Sequence, residues 1–200
     1  KNSNLVDFKK ILKENKFEFK NNIFLKKNLK IFFIKKDFAL TTKLINTNYK
    51  QVDCLVHLAS QTGVIQSMKS PEKDASENIL KTIKFLQFLK DKGLKKIIYA
   101  SSMGVLGDNL YSSNESKHDP LNFYAASKAS VENYLNVYSK TLGVKSYILR
   151  FSNIYGKYSK HKTSVIASFI KSIIKKGKIT VNGSGKQYRD FLFVEDLAEI

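Results

Sequence analysis

The chain has 200 residues, of which 42% are hydrophobic and 12% aromatic, so it can bury a sizeable core and suits one domain or a large part of one. Its formal net charge of +18 raises nucleic acid or an anionic membrane as partners. However, all the basic residues except Arg150 and Arg189 are lysines scattered along the whole length, which favours a solvated surface and no nucleic-acid site. No apolar run approaches the roughly 18 residues of a membrane span, and no signal peptide is visible.

Two elements are predicted near the N-terminus. Apolar residues at helical spacing indicate an amphipathic helix within residues 1–29. The run KIFFIKKD, residues 30–37, then predicts a strand that ends in an aspartate, and Asp37 is equally suited to be the N-cap of the segment that follows. The residues of the helical pattern are Leu5, Phe8, Ile11 and Leu12.

The run VDCLVHLA, residues 52–59, is continuously apolar and predicts a parallel strand buried between helices. It contains the one cysteine, Cys54, which is expected to be a small core residue. A single thiol excludes a disulfide framework within the chain and suits a reducing, cytoplasmic compartment. His57 is expected to be packed, because no second histidine lies near enough in sequence to suggest a metal site.

A long helix is predicted from about residue 72 to residue 92, with Gly93 as its stop signal. The next strand is KKIIYAS, residues 95–101, and a further strand is KSYILRF, residues 145–151. A helix is predicted to begin near Thr163, and its apolar residues are expected to be core. They are Val165, Ile166, Phe169, Ile170 and Ile173.

A serine-bearing turn and a helix follow the strand at residues 95–101. The helix carries Tyr124 and Lys128, and a spacing of four residues places both on one helical face. A cation beside a phenol favours the phenolate and pulls its pKa down from about 10 towards neutrality. Tyr124 is therefore expected to accept a proton from a hydroxyl group near pH 7, although an isolated Y-x-x-x-K pattern has little weight in a lysine-rich chain.

The order of these elements, a strand, a serine and then Y-x-x-x-K, resembles the extended short-chain dehydrogenase/reductase family of NAD-dependent nucleotide-sugar epimerases and dehydratases. IIYASSMGVLG, YAASK, LRFSNIYG and the later RDF match its motifs, most closely those of UDP-glucose 4-epimerase-like members. The resemblance implies an α/β fold with a doubly wound parallel sheet and catalysis by Ser102, Tyr124 and Lys128. It also implies NAD as cofactor and a nucleotide sugar as substrate.

The resemblance assigns further residues to the cofactor and to the substrate. Asp37 would meet the adenine, Asn78 would help to order the active site, and Ser152 would contact the nicotinamide amide through its backbone. The implied cofactor-binding residues are Asp37, Leu58, Ala59, Ser60, Asn78, Tyr124, Lys128 and Ser152. The implied substrate-binding residues are Ser67, Ser102, Asn153, Lys162 and Arg189, with Lys162 and Arg189 meeting phosphate.

Two departures from the family pattern narrow the implied reaction. Dehydratases carry an Asp-Glu pair after the catalytic serine or threonine, whereas this chain has Met103-Gly104, which can act neither as acid nor as base. Uronate epimerases tend to have an arginine where this chain has Ile65. The implied activity is therefore 4-epimerisation of a UDP-hexose through a 4-keto intermediate. The alternatives are a reductase, decarboxylase or uronate epimerase, a catalytically inactive interaction protein and, more weakly, a nucleic-acid binder.

The first glycine of the chain is Gly63, whereas a dinucleotide-binding domain opens with a strand and a glycine-rich turn that holds the pyrophosphate. We therefore expect a chain truncated at both ends that binds NAD poorly and folds with low stability on its own. Residues 1–160 are assigned to a partial NAD-binding domain, and residues 161–200 to the start of the sugar-binding part, interleaved with the core. The full-length protein is expected to be a homodimer.

Overall fold

The structure is a computed structural model that describes residues 10, 12–14, 16, 18–20, 23–26, 29–32, 34, 36–108, 113–159 and 164–200. It contains two compact units. The larger is Lys36–Ser152, and the smaller combines the described residues up to 34 with Asn153–Ile200. The assignment of a cofactor part and a sugar part divided at residue 160 stays a prediction.

Eight strands and seven α-helices are numbered here in chain order. The strands are β1 (Glu18–Lys20), β2 (Ile23–Lys26), β3 (Leu29–Phe32), β4 (Cys54–His57), β5 (Lys96–Ser102), β6 (Lys145–Phe151), β7 (Asn153–Tyr155) and β8 (Phe191–Phe193). The helices are α1 (Thr42–Asn48), α2 (Val64–Lys69), α3 (Pro71–Ala75), α4 (Lys81–Lys90), α5 (Phe123–Leu142), α6 (Val165–Lys176) and α7 (Val194–Glu199). Shorter turns are the 3₁₀ segments Phe38–Leu40 and Met103–Leu106 and the π-helical turn Ser76–Leu80. Within the described ranges, every helix is too short or too polar to cross a membrane.

The larger unit is built on a parallel sheet with strand order β4-β5-β6. Its register pairs Val56 with Ile98 and Ser102 with Phe151. Helices connect each strand to the next, as parallel pairing requires. The predicted α/β, Rossmann-like parallel fold is therefore confirmed, and β6 has the predicted bounds. Because parallel strands end at one edge of the sheet, Ser102 lies at the carboxyl edge, where such folds bind ligands.

The core of the larger unit lies between one face of this sheet and helices α4 and α5. It contains Phe85, Leu86, Leu89, Leu94, Ile97, Tyr99, Val131, Leu135 and Val144. On the other face of β4, Cys54 and Val56 are exposed. The predictions of a buried cysteine and of a strand covered on both faces are therefore wrong. The reason is that the core helices of this unit pack on the face that carries Ile97 and Tyr99.

The predicted long helix is present as α3, the π-helical turn and α4, which follow one another without a break. The π-helical turn contains the buried Asn78, and such insertions occur often at functional sites. Gly93 has a φ of +75°, a left-handed conformation that suits glycine at the end of a helix. The predicted stop signal is confirmed.

Helix α5 begins at a defined cap, because the side chain of Asn122 accepts a hydrogen bond from the backbone N–H of Ala125 at 2.9 Å. This cap places Tyr124 in the first turn. The buried stripe of the helix then includes two charged residues, Lys128 and Glu132, one turn apart. The stripe also contains Ala125, Ser127, Ala129, Val131 and Leu135.

The smaller unit differs from the prediction in two places. The strand predicted at residues 30–37 is β3, which ends at Phe32 and pairs antiparallel with β2 in a separate sheet, β1-β2-β3. Of the apolar residues predicted as core in α6, Val165, Ile170 and Ile173 are exposed, whereas Ile166 and Phe169 are half-buried. In the N-terminal helix pattern, Leu12 is buried and residues 12–14 are helical, while Leu5, Phe8 and Ile11 lie outside the described residues.

Candidate active site

Ser102, Tyr124 and Lys128, the three predicted catalytic residues, lie together at the carboxyl end of β5. Ser102 is the last residue of the strand, and its hydroxyl interacts with the side chain of Tyr124. The Nζ of Lys128 lies 5.9 Å from the ring centroid of Tyr124 and 4.8 Å from that of Tyr99. The strand and the helix thus bring a hydroxyl, a phenol and an ammonium group into one place.

Lys128 is only 3% exposed, and its Nζ donates a hydrogen bond to the carbonyl oxygen of Ala100 at 2.8 Å. Burial lowers the pKa of Lys128 to about 8, and the negative charges of Asp74 and Glu132 act in the opposite direction. At neutral pH the side chain is therefore mostly an ammonium, and it titrates closer to neutrality than an ordinary lysine.

The pKa of Tyr124 does not behave as predicted from its spacing to Lys128. Burial raises the pKa of the phenol, the hydrogen bond with Ser102 lowers it, and the charge of Asp74 raises it again. The net direction is upward, so the expected shift towards neutrality is wrong for this structure. The free-energy cost of removing the phenolate from water exceeds the stabilisation that its neighbours provide. The Nζ of Lys128 is hydrogen-bonded to the carbonyl of Ala100.

The loop after β4 carries the predicted cofactor-lining residues, and Asn78 holds it in place. Leu58 is 63% exposed, Ala59 is exposed and Ser60 is half-buried. The Oδ1 of Asn78 accepts from the Gln61 backbone N–H at 2.8 Å and from the Ser60 hydroxyl at 3.0 Å, and its Nδ2 donates to the Gln61 carbonyl at 3.0 Å. Asn78 therefore joins the π-helical turn to the loop.

Asp37 is the N-cap of the 3₁₀ turn that follows it, accepting a hydrogen bond from the Ala39 N–H at 3.0 Å. The Nζ of Lys81 lies 2.7 Å from Asp37 Oδ2 and 2.6 Å from Glu77 Oε2. The hydrogen bond from Lys81, followed by that from Ala39, holds the pKa of Asp37 below its usual range. The capping interpretation is confirmed, and the contact with adenine stays a prediction.

The remaining predicted residues are divided between the two units. Ser67 is fully buried and donates to the carbonyl of Val64 at 2.7 Å, while Ser152 is half-buried directly after β6. In the smaller unit, the amide of Asn153 donates to the Asp190 carbonyl at 3.1 Å, and Arg189 is exposed. Lys162 lies outside the described residues. The substrate roles of these residues stay predictions.

His57 is the packed histidine that was expected. It is buried, its Nε2 lies 3.0 Å from the hydroxyl of Thr82, and its ring packs edge-on against Phe38 with the centroids 5.1 Å apart. Burial, and then the positive charge of Lys128, lower the pKa of His57 to about 4. The imidazole is therefore neutral at neutral pH.

The sequence analysis missed Glu132, the centre of a group that we call the paired cluster and that comprises Ser101, His118, Glu132 and Arg150. Glu132 is 1% exposed, and its carboxylate accepts from Arg150 Nη2 at 2.8 Å and from the Ser101 hydroxyl. His118 Nε2 lies 2.9 Å from Oε2. The available signal was the spacing, since Glu132 continues the series Tyr124, Lys128 in steps of four.

Asp74 was also missed. It is 2% exposed on α3, four residues before Asn78, and its Oδ1 accepts from Asn78 Nδ2 at 3.2 Å and from Gln61 Nε2 at 2.8 Å. The same four-residue spacing that relates Tyr124 to Lys128 could have indicated its contact with Asn78.

The fold and these contacts define a Rossmann-like α/β protein in which a serine, a tyrosine and a lysine meet at the carboxyl end of β5. The chain belongs to the family described as the NAD dependent epimerase/dehydratase family, whose pattern it matches over residues 14–200. The family resemblance and the cofactor predicted from it are confirmed at this level.

Related sequences and solved structures support the same family. The chain is 35% identical over 185 residues to a putative UDP-glucose 4-epimerase of Methanocaldococcus jannaschii, covering 90% of this chain and 59% of that protein. A UDP-glucose 4-epimerase of Thermotoga maritima, solved with UDP-glucose, superposes with a TM-score of 0.77 at 25% identity, covering 88% of this chain and 58% of that one. The enzyme of Thermus thermophilus, solved with NAD, gives 0.74 at 26% identity, covering 88% and 60%. The chain thus spans somewhat more than half the length of these relatives.

The residues present fit part of a dinucleotide. Leu58 and Ala59 leave an uncharged surface at the carboxyl edge of β4, where cofactors lie in such sheets, and Asp37 presents a carboxylate. Ser102, Tyr124 and Lys128 occupy the end of β5. The chain's own sequence has no glycine before Gly63, so no glycine-rich turn for a pyrophosphate precedes these residues within it.

Proposed function

We propose that the protein containing this chain is an NAD-dependent nucleotide-sugar 4-epimerase, with a UDP-hexose of the UDP-glucose/UDP-galactose type as its substrate. The convergence of Ser102, Tyr124 and Lys128 at the carboxyl end of β5 is the observation that carries the proposal. The relatives that act on UDP-glucose support this choice of sugar. Met103 and Gly104 support epimerisation over dehydration, because neither residue can donate or accept the protons needed to remove water.

In the proposed reaction, NAD when bound supplies the two-electron acceptor for C4 of the sugar. The ionised phenol of Tyr124 accepts the C4 hydroxyl proton as C4 is oxidised to a ketone and returns it when C4 is reduced, and Ser102 orients the two oxygens through its own hydroxyl. The ammonium of Lys128 stabilises the phenolate form of Tyr124 that accepts this proton. The reactive form needs an ionised Tyr124 and a protonated Lys128, and the resting phenol is neutral while the pKa of Lys128 is about 8, so we expect a bell-shaped dependence of turnover on pH.

Tyr124→Phe tests the proposal, with Tyr134→Phe as the matched control on an exposed part of the same helix. The intact protein is supplied with NAD and UDP-galactose, and UDP-glucose formation is followed by chromatography. Because Tyr124 is the only proposed proton carrier, we expect Tyr124→Phe to lose about 10²- to 10⁴-fold in rate and Tyr134→Phe to keep its activity. Equal rates in the two variants would contradict the assignment.

The same assay separates the proposed function from the other reactions of the family. A 4-epimerase turns over without net change in NADH, so accumulation or consumption of NADH would indicate a reductase, and release of CO₂ a decarboxylase. Preference for UDP-glucuronate would indicate a uronate epimerase. We further propose a cytoplasmic location, which suits a chain with one cysteine and no possible internal disulfide, and a homodimer, which sedimentation of the intact protein would test.

A further inference from the structure

Asp74 is a buried carboxylate for which the proposed reaction has no role. Its Oδ1 accepts two hydrogen bonds, from Gln61 and Asn78. Its Oδ2 is buried and receives no hydrogen bond from the part of the chain that the structure describes. A half-satisfied carboxylate in a protein interior is costly unless another interaction compensates for it.

The charges inside the larger unit indicate what that interaction is. Among the described residues that are buried, the charged side chains are Asp74, Lys128 and Glu132, since His57, with its pKa of about 4, is neutral. Glu132 has its own cation, Arg150, at 2.8 Å. Asp74 and Lys128 are then the remaining anion and cation, and each lies within electrostatic range of the other. Asp74 and Glu132 both act on Lys128 by their charge, and of these two only Glu132 has an ion pair of its own among the described residues.

Hydrogen bonds also connect Asp74 to the turn of helix that carries Tyr124. Asn78, which donates to Asp74, donates in addition to the hydroxyl of Ser127 at 3.1 Å. Ser127 in turn donates to the carbonyl of Tyr124 at 2.9 Å. A displacement of Asp74 would therefore change the position of Asn78, of the loop that Asn78 holds and of the first turn of α5.

We propose that Asp74 is a positioning residue of this active site, one whose negative charge stabilises the ammonium of Lys128 and opposes loss of the phenol proton of Tyr124. Its Oδ1 meanwhile orients Asn78 and Gln61. This inference deepens the proposed function. The effect of Asp74 on the ionisation of Tyr124 does not depend on that function, whereas its importance for catalysis does.

The electrostatic directions agree with this geometry. Burial and the charge of Asp74 both raise the pKa of Tyr124. Burial lowers the pKa of Lys128, and the charge of Asp74 opposes this by raising it. The other titratable groups around the pair come from three elements and do not replace Asp74: His57 is neutral, Glu132 is paired with Arg150, and the pKa of Tyr99 is raised by burial. These groups lie on β4 (His57), α5 (Glu132) and β5 (Tyr99).

Asp74→Asn removes the charge and keeps an oxygen that accepts from Gln61 and Asn78. Ionisation of Tyr124 is followed by ¹³C NMR of protein labelled at the tyrosine ζ carbon, with the resonance assigned by its loss in Tyr124→Phe. We expect the Tyr124 midpoint to move to lower pH in Asp74→Asn, and the acid limb of the kcat/KM profile to move with it. Glu72→Gln, which removes an exposed charge from the same helix, should leave both unchanged.

An unmoved Tyr124 midpoint in a folded Asp74→Asn protein would overturn the proposal. If this variant does not fold, the unaltered protein decides: the carboxyl carbon of Asp74 should shift as Tyr124 titrates, and this shift should vanish in Tyr124→Phe. A carboxyl resonance that is insensitive to Tyr124 overturns the proposal as well. The titrations need no substrate, so a protein that fails as an epimerase can still confirm or contradict the role of Asp74.

Discussion

Two buried polar clusters meet helix α5 one turn apart, and they are completed to different degrees. In the paired cluster, both oxygens of the Glu132 carboxylate receive hydrogen bonds, and Arg150 supplies an opposite charge. The second, which we call the active-site cluster, comprises Asp74, Ser102, Tyr124 and Lys128. There, Oδ2 of Asp74 has no hydrogen-bond partner within the described ranges, and Lys128 is bonded to a neutral carbonyl.

The difference shows in the ionisation of the two clusters. Burial alone would raise the pKa of Glu132, but hydrogen bonds from Arg150, Ser101 and His118 outweigh it and hold the pKa below its usual range. In the active-site cluster burial prevails, so the pKa of Lys128 falls to about 8 and that of Tyr124 rises. The balance between burial and hydrogen-bonded partners therefore decides which form of each buried group is favoured.

The largest expected effect comes from a substitution that breaks the paired cluster. Glu132→Leu leaves the guanidinium of Arg150 inside the unit without its carboxylate, so we expect the free energy of unfolding in urea to fall by about 3–5 kcal/mol. The double variant Glu132→Leu/Arg150→Met removes both charges and should recover most of this loss. Glu115→Leu, at an exposed position in the same loop region as His118, is the control. A loss below about 1 kcal/mol in Glu132→Leu would show that the cluster is not stabilising.

The second prediction concerns His57, beside the active-site cluster, and is tested by measuring the free energy of unfolding as a function of pH. His57 lies in the field of Lys128, and its pKa is about 4 in the folded state against 6.5 in the unfolded chain. The unfolded chain therefore binds more protons between these values, and stability falls as pH decreases from about 6.5 to about 4, by roughly 3 kcal/mol at about 1.4 kcal/mol per unit.

His57→Gln should lack this component of the pH dependence. The carboxylates Asp37 and Glu132, whose pKa values are lowered, lose their contribution as pH falls through their folded values, and they do so equally in both proteins. The difference between the two urea-unfolding series thus isolates His57. Parallel series would mean that His57 is protonated as easily inside the fold as outside it.

The smallest expected effect is at the link between the active-site cluster and α5. Ser127→Ala removes one of the acceptors of Asn78 Nδ2, and those that remain are the Gln61 carbonyl and Asp74. We expect the free energy of unfolding to fall by about 1 kcal/mol. Ser130→Ala is the matched control, because the Ser130 hydroxyl donates to the Ala126 carbonyl one turn back on the same helix. This variant should change the free energy of unfolding by roughly a few tenths of a kcal/mol or less. Equal melting temperatures would contradict a specific role for Ser127.

Local patterns predicted much of the larger unit. The strand at residues 145–151 has the predicted bounds, the strand at 95–101 is shifted by one residue, and the helix before Gly93 is present with a π-helical turn inside it. The proximity of Tyr124 and Lys128 followed from helical spacing, and that of Ser102 from the order of strand and helix. These features depend on backbone periodicity and on parallel strands ending at one edge, both of which can be inferred from sequence.

Other predictions failed because they depended on neighbours distant in the chain. Part of the run predicted as a strand at residues 30–37 does form one, in β3, but its pairing with β2, and not its composition, decides which sheet it joins. Cys54 lies in an apolar run and is nevertheless exposed, because side chains of a strand alternate between a covered face and an open one.

The sequence by itself determined where helices and strands lie in the larger unit and that a phenol and an ammonium share one face of α5. Tertiary structure alone decided the ionisation of that pair. Asp74, fifty residues before Tyr124 in the chain, and the burial of both groups set their pKa values, because desolvation and charge act through space and not along the chain.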